Sequence, residues 1–234
     1  MTGILYGLGV GPGDPELITL KAHRILRSVP VVAYPAPDEG DSLARAIVAE
    51  YFPGGQTEIV IRTPMSLNRF PALEVYDKAA GEVGAHLDAG RDVAILCEGD
   101  PFFYGSFMYL YARLAESYRV EIVPGVSSLM ACAARTGAPL AARNDILAVL
   151  PALLPVAELE ARIAAADGIA ILKVGRHFEK IRDLLNRMGI AEHCRYVERA
   201  TMASERILPL EAVAADTVPY FSMILIHKRG QAWQ

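Results

Sequence analysis

The chain has 234 residues, 53% of them hydrophobic and 21% charged, the balance of a soluble globular protein with one large domain or two smaller ones. A chain of this length buries about 70 to 75% of its unfolded surface and needs no covalent staples. Its formal net charge of −4 and its lack of a basic run argue against nucleic acid as the main partner, and its longest apolar stretch, residues 146–157, is too short to span a membrane.

The first segment is the most informative. Leu5 to Gly9 reads as a strand running into a turn stiffened by Pro12, and a helix follows from Pro15 with Asp14 as its N-cap. Four glycines at alternate positions, Gly7, Gly9, Gly11 and Gly13, let the backbone approach a ligand closely or take positive φ, so this turn is expected to hold a small molecule. A dinucleotide fingerprint fails here, because Pro12 occupies the third glycine position and the next strand ends in Tyr34-Pro35 with no carboxylate for a ribose. A Walker-type loop fails too, since no Gly-Lys-Ser/Thr follows. No basic segment precedes this apolar run and Gly7, Gly9 and Gly11 interrupt it, so it reads as a strand and not a signal peptide.

Beyond it, strand and helix patterns alternate. Strands are expected near 3–9, 30–35, 57–61, 92–97 and 119–123, with helices near 15–28, 41–50, 70–89 and 105–117. After the breaker Pro124-Gly125 a second series follows: helix 127–136, strand 145–150, helix 156–166, strand 168–174, helix 177–188, and strands 194–200, 205–208 and 221–227. The expected fold is α/β, two α/β domains with mostly parallel sheets, residues 1–123 and 124–234, with a ligand cleft between the domains at the strand ends. Cys97, Cys132 and Cys194 lack Cys-x-x-Cys spacing and read as reduced core thiols of a cytoplasmic protein. The five histidines show no paired ligand spacing, so no metal site is expected.

Two further strand ends carry glycine with polar atoms. The strand ending at Cys97 continues as Glu98-Gly99-Asp100-Pro101-Phe102-Phe103-Tyr104-Gly105, where Asp100 is either a ligand contact or a helix N-cap. The strand ending at Val123 continues as Pro124-Gly125-Val126-Ser127-Ser128, where the two hydroxyls again read as cap or contact.

Together, Gly9-x-Gly11-Pro12-Gly13-Asp14-Pro15-Glu16-Leu17-x-Thr19-x-Lys21-Ala22, Gly99-Asp100-Pro101-x-x-Tyr104-Gly105 and Pro124-Gly125-Val126-Ser127-Ser128 resemble the tetrapyrrole methylase family over essentially the whole chain. Within it, residues 97–110, Tyr34-Pro35 and Tyr220-Phe221-Ser222-Met223 are similar to precorrin-2 C(20)-methyltransferases. Members that methylate uroporphyrinogen usually carry arginine where this chain has Ser106, and diphthine synthases resemble it less over 97–110. The resemblance implies an S-adenosylmethionine-dependent enzyme of cobalamin biosynthesis that methylates precorrin-2 at carbon 20 to give precorrin-3A, and usually a homodimer. Alternatives are the cobalt-precorrin-2 or uroporphyrinogen-III reaction, a non-catalytic tetrapyrrole-binding module and, more remotely, a nicotinamide oxidoreductase.

Carried over by motif, the resemblance implies cofactor contacts at Pro12, Gly99, Asp100, Pro101, Tyr104, Ser127, Ser128, Lys173, Val174, Ala200 and Ser222. Ala200 replaces a glycine common in relatives, and Lys173 stands where many have an apolar residue. No general base is assigned, although Glu98 and Tyr104 lie near the expected site by motif position. A substrate with eight carboxylates calls for cations, and Arg62, Arg69, Arg143, Arg176, Arg199 and Arg206 are the candidates in loops or at strand ends.

Overall fold

The computed structural model describes residues 1–63 and 69–229. It divides into two compact units, Met1–Ser127 and Ser128–Gln234.

In the first unit, β1 (Leu5–Gly9), β2 (Val31–Pro37), β3 (Thr57–Thr63), β4 (Val93–Cys97) and β5 (Val120–Val123) form one parallel sheet in the order β3-β2-β4-β1-β5. The unbroken apolar run of β4 is buried at every residue, as a central strand covered on both faces requires, whereas β3 alternates exposed and buried residues at the edge. The strand period of two sorts β4 between two cores. Val93, Ile95 and Cys97 pack with Val83, Leu87, Phe107 and Leu110 of α3 (Arg69–Asp88) and α4 (Phe107–Leu114). Ala94 and Leu96 pack with Ile25, Leu26, Ala44 and Ile47 of α1 (Leu20–Leu26) and α2 (Leu43–Ile47).

The second unit contains α5 (Ser128–Thr136), β6 (Leu147–Pro151), α6 (Val156–Ala165), β7 (Gly168–Leu172), α7 (Phe178–Arg187), β8 (Cys194–Glu198), β9 (Arg206–Leu208) and β10 (Ser222–His227). Its sheet runs β6-β7-β10-β8-β9. Phe178, Ile181, Leu184 and Leu185 form the buried stripe of α7, and Phe178 meets the fully buried Tyr196 edge-on at 5.8 Å.

The α/β class is observed, and parallel pairing predominates over the two sheets together. The antiparallel pairings are confined to the second sheet, where β10 inserts against both β7 and β8, and β9 follows β8 without a crossover helix.

Among the elements that differ from the expected ones, three have a visible cause. The helix expected over 15–28 is a 3-10 turn, Pro15–Leu17, capped by Asp14, followed by α1, whose Ala22 amide donates to Thr19 Oγ1 at 3.2 Å. A second N-cap, unmarked by any break in hydrophobicity, split the run. Strands expected over 168–174 and 194–200 stop at Leu172 and Glu198, because Lys173 (φ 59°) and Arg199 (φ 49°) turn into the left-handed region.

The three cysteines are buried and unpaired, and burial pushes the Cys132 and Cys194 thiols up to about 12. No helix among the described residues is long and apolar enough to cross a membrane.

Gly7 packs against the fully buried ring of Phe107, with a Cβ there lying 2.6 Å from Cε1. Gly7→Ala is therefore expected to destabilise the protein by about 1–3 kcal/mol in chemical denaturation. Phe107→Leu in the same chain should return part of that loss, a coupling that a double-mutant cycle reads directly.

Candidate functional site

In the first sheet β4, β1 and β5 are adjacent and parallel, so the three glycine-bearing loops leave from neighbouring carboxyl ends. Pairing continues past the strands: Val10 N donates to Cys97 O at 3.0 Å and Gly99 N to Gly11 O at 2.7 Å. A Cβ on Gly9 would sit 2.5 Å from Gly125 N, 2.6 Å from Gly125 Cα and 2.7 Å from Gly99 O. The loops thus meet backbone to backbone. The clearance at Gly7 and Gly9, expected to admit a ligand, is taken up by Phe107 and Gly125 of the protein itself.

Asp100 locks this convergence. Its Oδ1 accepts from Phe102 N at 2.9 Å and its Oδ2 from Gly125 N at 3.0 Å, tying the loop after β4 to the loop after β5. It does not cap α4, which begins only at Phe107 with Ser106 in the cap position. Pro12, Gly99 and Pro101 are buried, whereas Tyr104 is 46% exposed and holds φ at 57°. Ser127 is half-buried, and Ser128 is the exposed first residue of α5. Glu98 turns to α2, where its Oε1 accepts from Ala44 N at 3.2 Å, and burial raises its carboxyl pKa.

In the second unit the insertion of β10 sets its first residues beside the last residues of its neighbours, Met223 opposite Leu172 and Ser222 opposite Glu198. Lys173, Val174, Ala200 and Ser222 therefore collect at one end of that sheet. The Val174 side chain belongs to the apolar core, and Ala200 and Ser222 are buried. Ser222 Oγ donates to Pro219 O at 2.7 Å and accepts from Gly175 N at 3.4 Å, while Arg199 N donates to Phe221 O at 2.8 Å.

Sequence reasoning missed two supports of this end. The carboxylate of Glu198, buried beneath it, accepts from Tyr196 Oη at 2.6 Å and pairs with Arg206 at 3.3 Å and Arg199 at 3.5 Å. Glu205 Oε2 accepts from Thr201 N at 2.6 Å, holding a residue with φ of 67°, and Arg135 Nη2 meets Glu205 at 2.7 Å. Only the loop length between Thr201 and Glu205 hints at the second, and nothing in the hydrophobic pattern marks either.

The six candidate arginines separate. Arg62 is spent on Pro37 O and Gly40 O, both at 2.8 Å, and Arg199 and Arg206 meet Glu198. The Arg69 side chain lies outside the described residues. Arg143 and Arg176 are exposed and make no ion pair among the described residues.

The Arg135 hydrogen bonds hold the Glu205 carboxyl below its ordinary range, outweighing burial. A depressed carboxyl contributes stability above its unfolded pKa and loses it as pH falls through the folded value. Thermal denaturation should therefore show the protein losing stability on acidification below about pH 4, and Glu205→Gln should remove this carboxylate's share of that loss.

The chain is similar to known proteins. The model of the family described as Tetrapyrrole (Corrin/Porphyrin) Methylases matches residues 4–214. Cobalamin biosynthesis protein CobIJ of Mycobacterium tuberculosis is 43% identical over 232 residues, covering 96% of this chain and 46% of that protein, so the chain spans about half the length of that relative. A precorrin-2 C(20)-methyltransferase of Sinorhizobium sp is 39% identical over 232 residues, covering 96% of this chain and 95% of the relative. The crystal structure of uroporphyrin-III C-methyl transferase from Thermus thermophilus complexed with S-adenyl homocysteine is similar at a TM-score of 0.68 and 27% identity, over 96% of this chain and 92% of that one. With three glycine-bearing loops on adjacent parallel strands and a family match running through both units, the chain belongs to the tetrapyrrole methylases.

Proposed function

We propose that this chain is an S-adenosylmethionine-dependent C-methyltransferase of cobalamin biosynthesis that methylates precorrin-2 at carbon 20, giving precorrin-3A. The observation that carries the reading is the 39% identity along nearly the whole of both chains with a protein named for that reaction. Ser106, in place of the arginine usual in uroporphyrinogen methylases, points the same way.

The proposed donor contacts are Pro12, Gly99, Asp100, Pro101, Tyr104, Ser127 and Ser128 of the strand-end loops, with Lys173, Val174, Ala200 and Ser222. The residues suit such a ligand. Tyr104, Ser127 and Ser128 offer hydroxyls, and each Asp100 oxygen that holds one backbone amide keeps a second lone pair. Of the buried members, Pro12, Gly99, Pro101, Val174 and Ala200 act through backbone atoms. When bound, S-adenosylmethionine supplies a methyl already activated on a sulfonium, so no protein nucleophile is required. The chain's task is alignment, and rigid loops that hold both reactants contribute up to roughly 7–11 kcal/mol in favourable model reactions. The free buried thiols support a cytoplasmic setting, and the family resemblance supports a homodimer.

Calorimetry should register binding of S-adenosylhomocysteine, and Ser128→Ala should weaken it roughly three- to tenfold with an unchanged unfolding midpoint. Incubation with precorrin-2 and donor labelled with 13C in its methyl should yield one new NMR signal, at carbon 20. A label on another carbon transfers the assignment to a different methylase of the family. Macrocycle binding without release of S-adenosylhomocysteine leaves a binding module.

A further inference from the structure

We infer that the turn Pro219–Ser222 is a substrate platform, on which Tyr220 and Phe221 receive the flat macrocycle while Arg176 and Arg199 meet its peripheral carboxylates. This rests on the tetrapyrrole reading above and adds to it the side chains that recognise the substrate.

Tyr220 is 49% exposed and Phe221 45% exposed, and their rings meet edge to face at 5.2 Å and 85°. A lone exposed aromatic needs no explanation, but two consecutive ones on a rigid turn do. The turn is held at each residue. Ser222 Oγ donates to Pro219 O at 2.7 Å, Ser222 N to Tyr220 O at 2.9 Å, and Arg199 N to Phe221 O at 2.8 Å. On the other side Gly175 lies against it, with a Cβ there 3.6 Å from Tyr220 Cα and 3.7 Å from Pro219 O. The backbone is therefore ordered before any ligand arrives, and binding loses little conformational entropy there.

Two arginines belong to the segments whose backbone touches this turn. Arg176 follows Gly175, is exposed, and makes no ion pair among the described residues. Arg199, whose amide anchors Phe221, keeps 40% of its side chain exposed. Its partner Glu198 also holds Arg206 and the Tyr196 hydroxyl, so Arg199 can turn to a ligand carboxylate without leaving that buried acid unpaired. One aromatic face buttressed by the edge of a second ring, with two arginines nearby in the chain, matches a ligand that carries a conjugated ring system rimmed by carboxylates, and guanidinium binds carboxylate in bidentate fashion.

Stable porphyrins serve as probes in fluorescence titrations of the full chain: uroporphyrin with eight carboxylates and coproporphyrin with four. Changing Tyr220 and Phe221 together to Ala should weaken uroporphyrin binding about tenfold, while Tyr220→Phe retains it. Arg176→Ala should weaken uroporphyrin more than coproporphyrin and flatten the salt dependence. Calorimetry with S-adenosylhomocysteine on the same variants should give unchanged affinity. Unaltered uroporphyrin affinity in the double variant, or no uroporphyrin binding by the unaltered chain, overturns the inference. So does a loss confined to S-adenosylhomocysteine, which would assign the rings to the donor's adenine. A chain that binds uroporphyrin through these residues but gives no heat with S-adenosylhomocysteine would sink the methyltransferase reading and leave the platform standing.

Discussion

The contact that organises the first unit is the approach of Gly9, Gly99 and Gly125 at the carboxyl ends of three neighbouring parallel strands. No side chain fits between them, so the separation of the loops is set by main-chain atoms alone, and those atoms do not change rotamer. Asp100 fastens the arrangement by giving one carboxylate oxygen to each of two loops. The Gly125 amide is half-buried, so losing its Asp100 partner would cost up to about 1–3 kcal/mol, whereas the exposed Phe102 amide could turn to water. Strand ends built this way are preformed, and a ligand bound there would meet backbone polar groups whose directions are fixed by the sheet.

The second unit reaches a similar end by different means. An antiparallel strand inserted between β7 and β8 brings its first residue beside their last ones, and left-handed residues then turn the chain away. Among the described residues five non-glycine residues have positive φ: Tyr104, Lys173, Arg199 and Thr201 are proposed donor contacts or lie within one residue of one, whereas Arg143 lies apart from that set. Each costs on the order of 1–2 kcal/mol, so each persists because its surroundings hold it. Two of the restraints are visible, the Phe221 carbonyl on the Arg199 amide and the Glu205 carboxylate on the Thr201 amide.

β4 was legible as a short unbroken apolar run, and α7 because burial of one helix face imposes a period on its sequence. The three glycine loops were legible as motifs. What they do was less so, since a glycine that makes room for a ligand and one that makes room for another backbone look alike in a sequence. Asp100 shows the same ambiguity: cap, ligand contact and clamp all call for a carboxylate beside a glycine. The ends of β7 and β8 were overrun by two residues each because Lys173-Val174 and Arg199-Ala200 continue the strand composition while the backbone leaves it. The Glu198 and Glu205 networks join residues through tertiary contacts that no local spacing encodes.

A bound sulfonium would threaten its own host, because any nearby thiolate could compete for the methyl. Cys97 is the last residue of β4 and stands two positions before Gly99, the nearest thiol along the chain to the proposed donor contacts. Strand alternation turns its side chain into the core with α3 and α4, where Sγ lies 3.9 Å from Ile95 O. Burial there, reinforced by the neighbouring Glu98 charge, raises the thiol well above its ordinary range and keeps it protonated at neutral pH. Reactive cysteines need thiolate character and access, and Cys97 has neither. The pleat that completes the first core thus also removes a competing nucleophile from beside the strand end where methyl transfer is proposed.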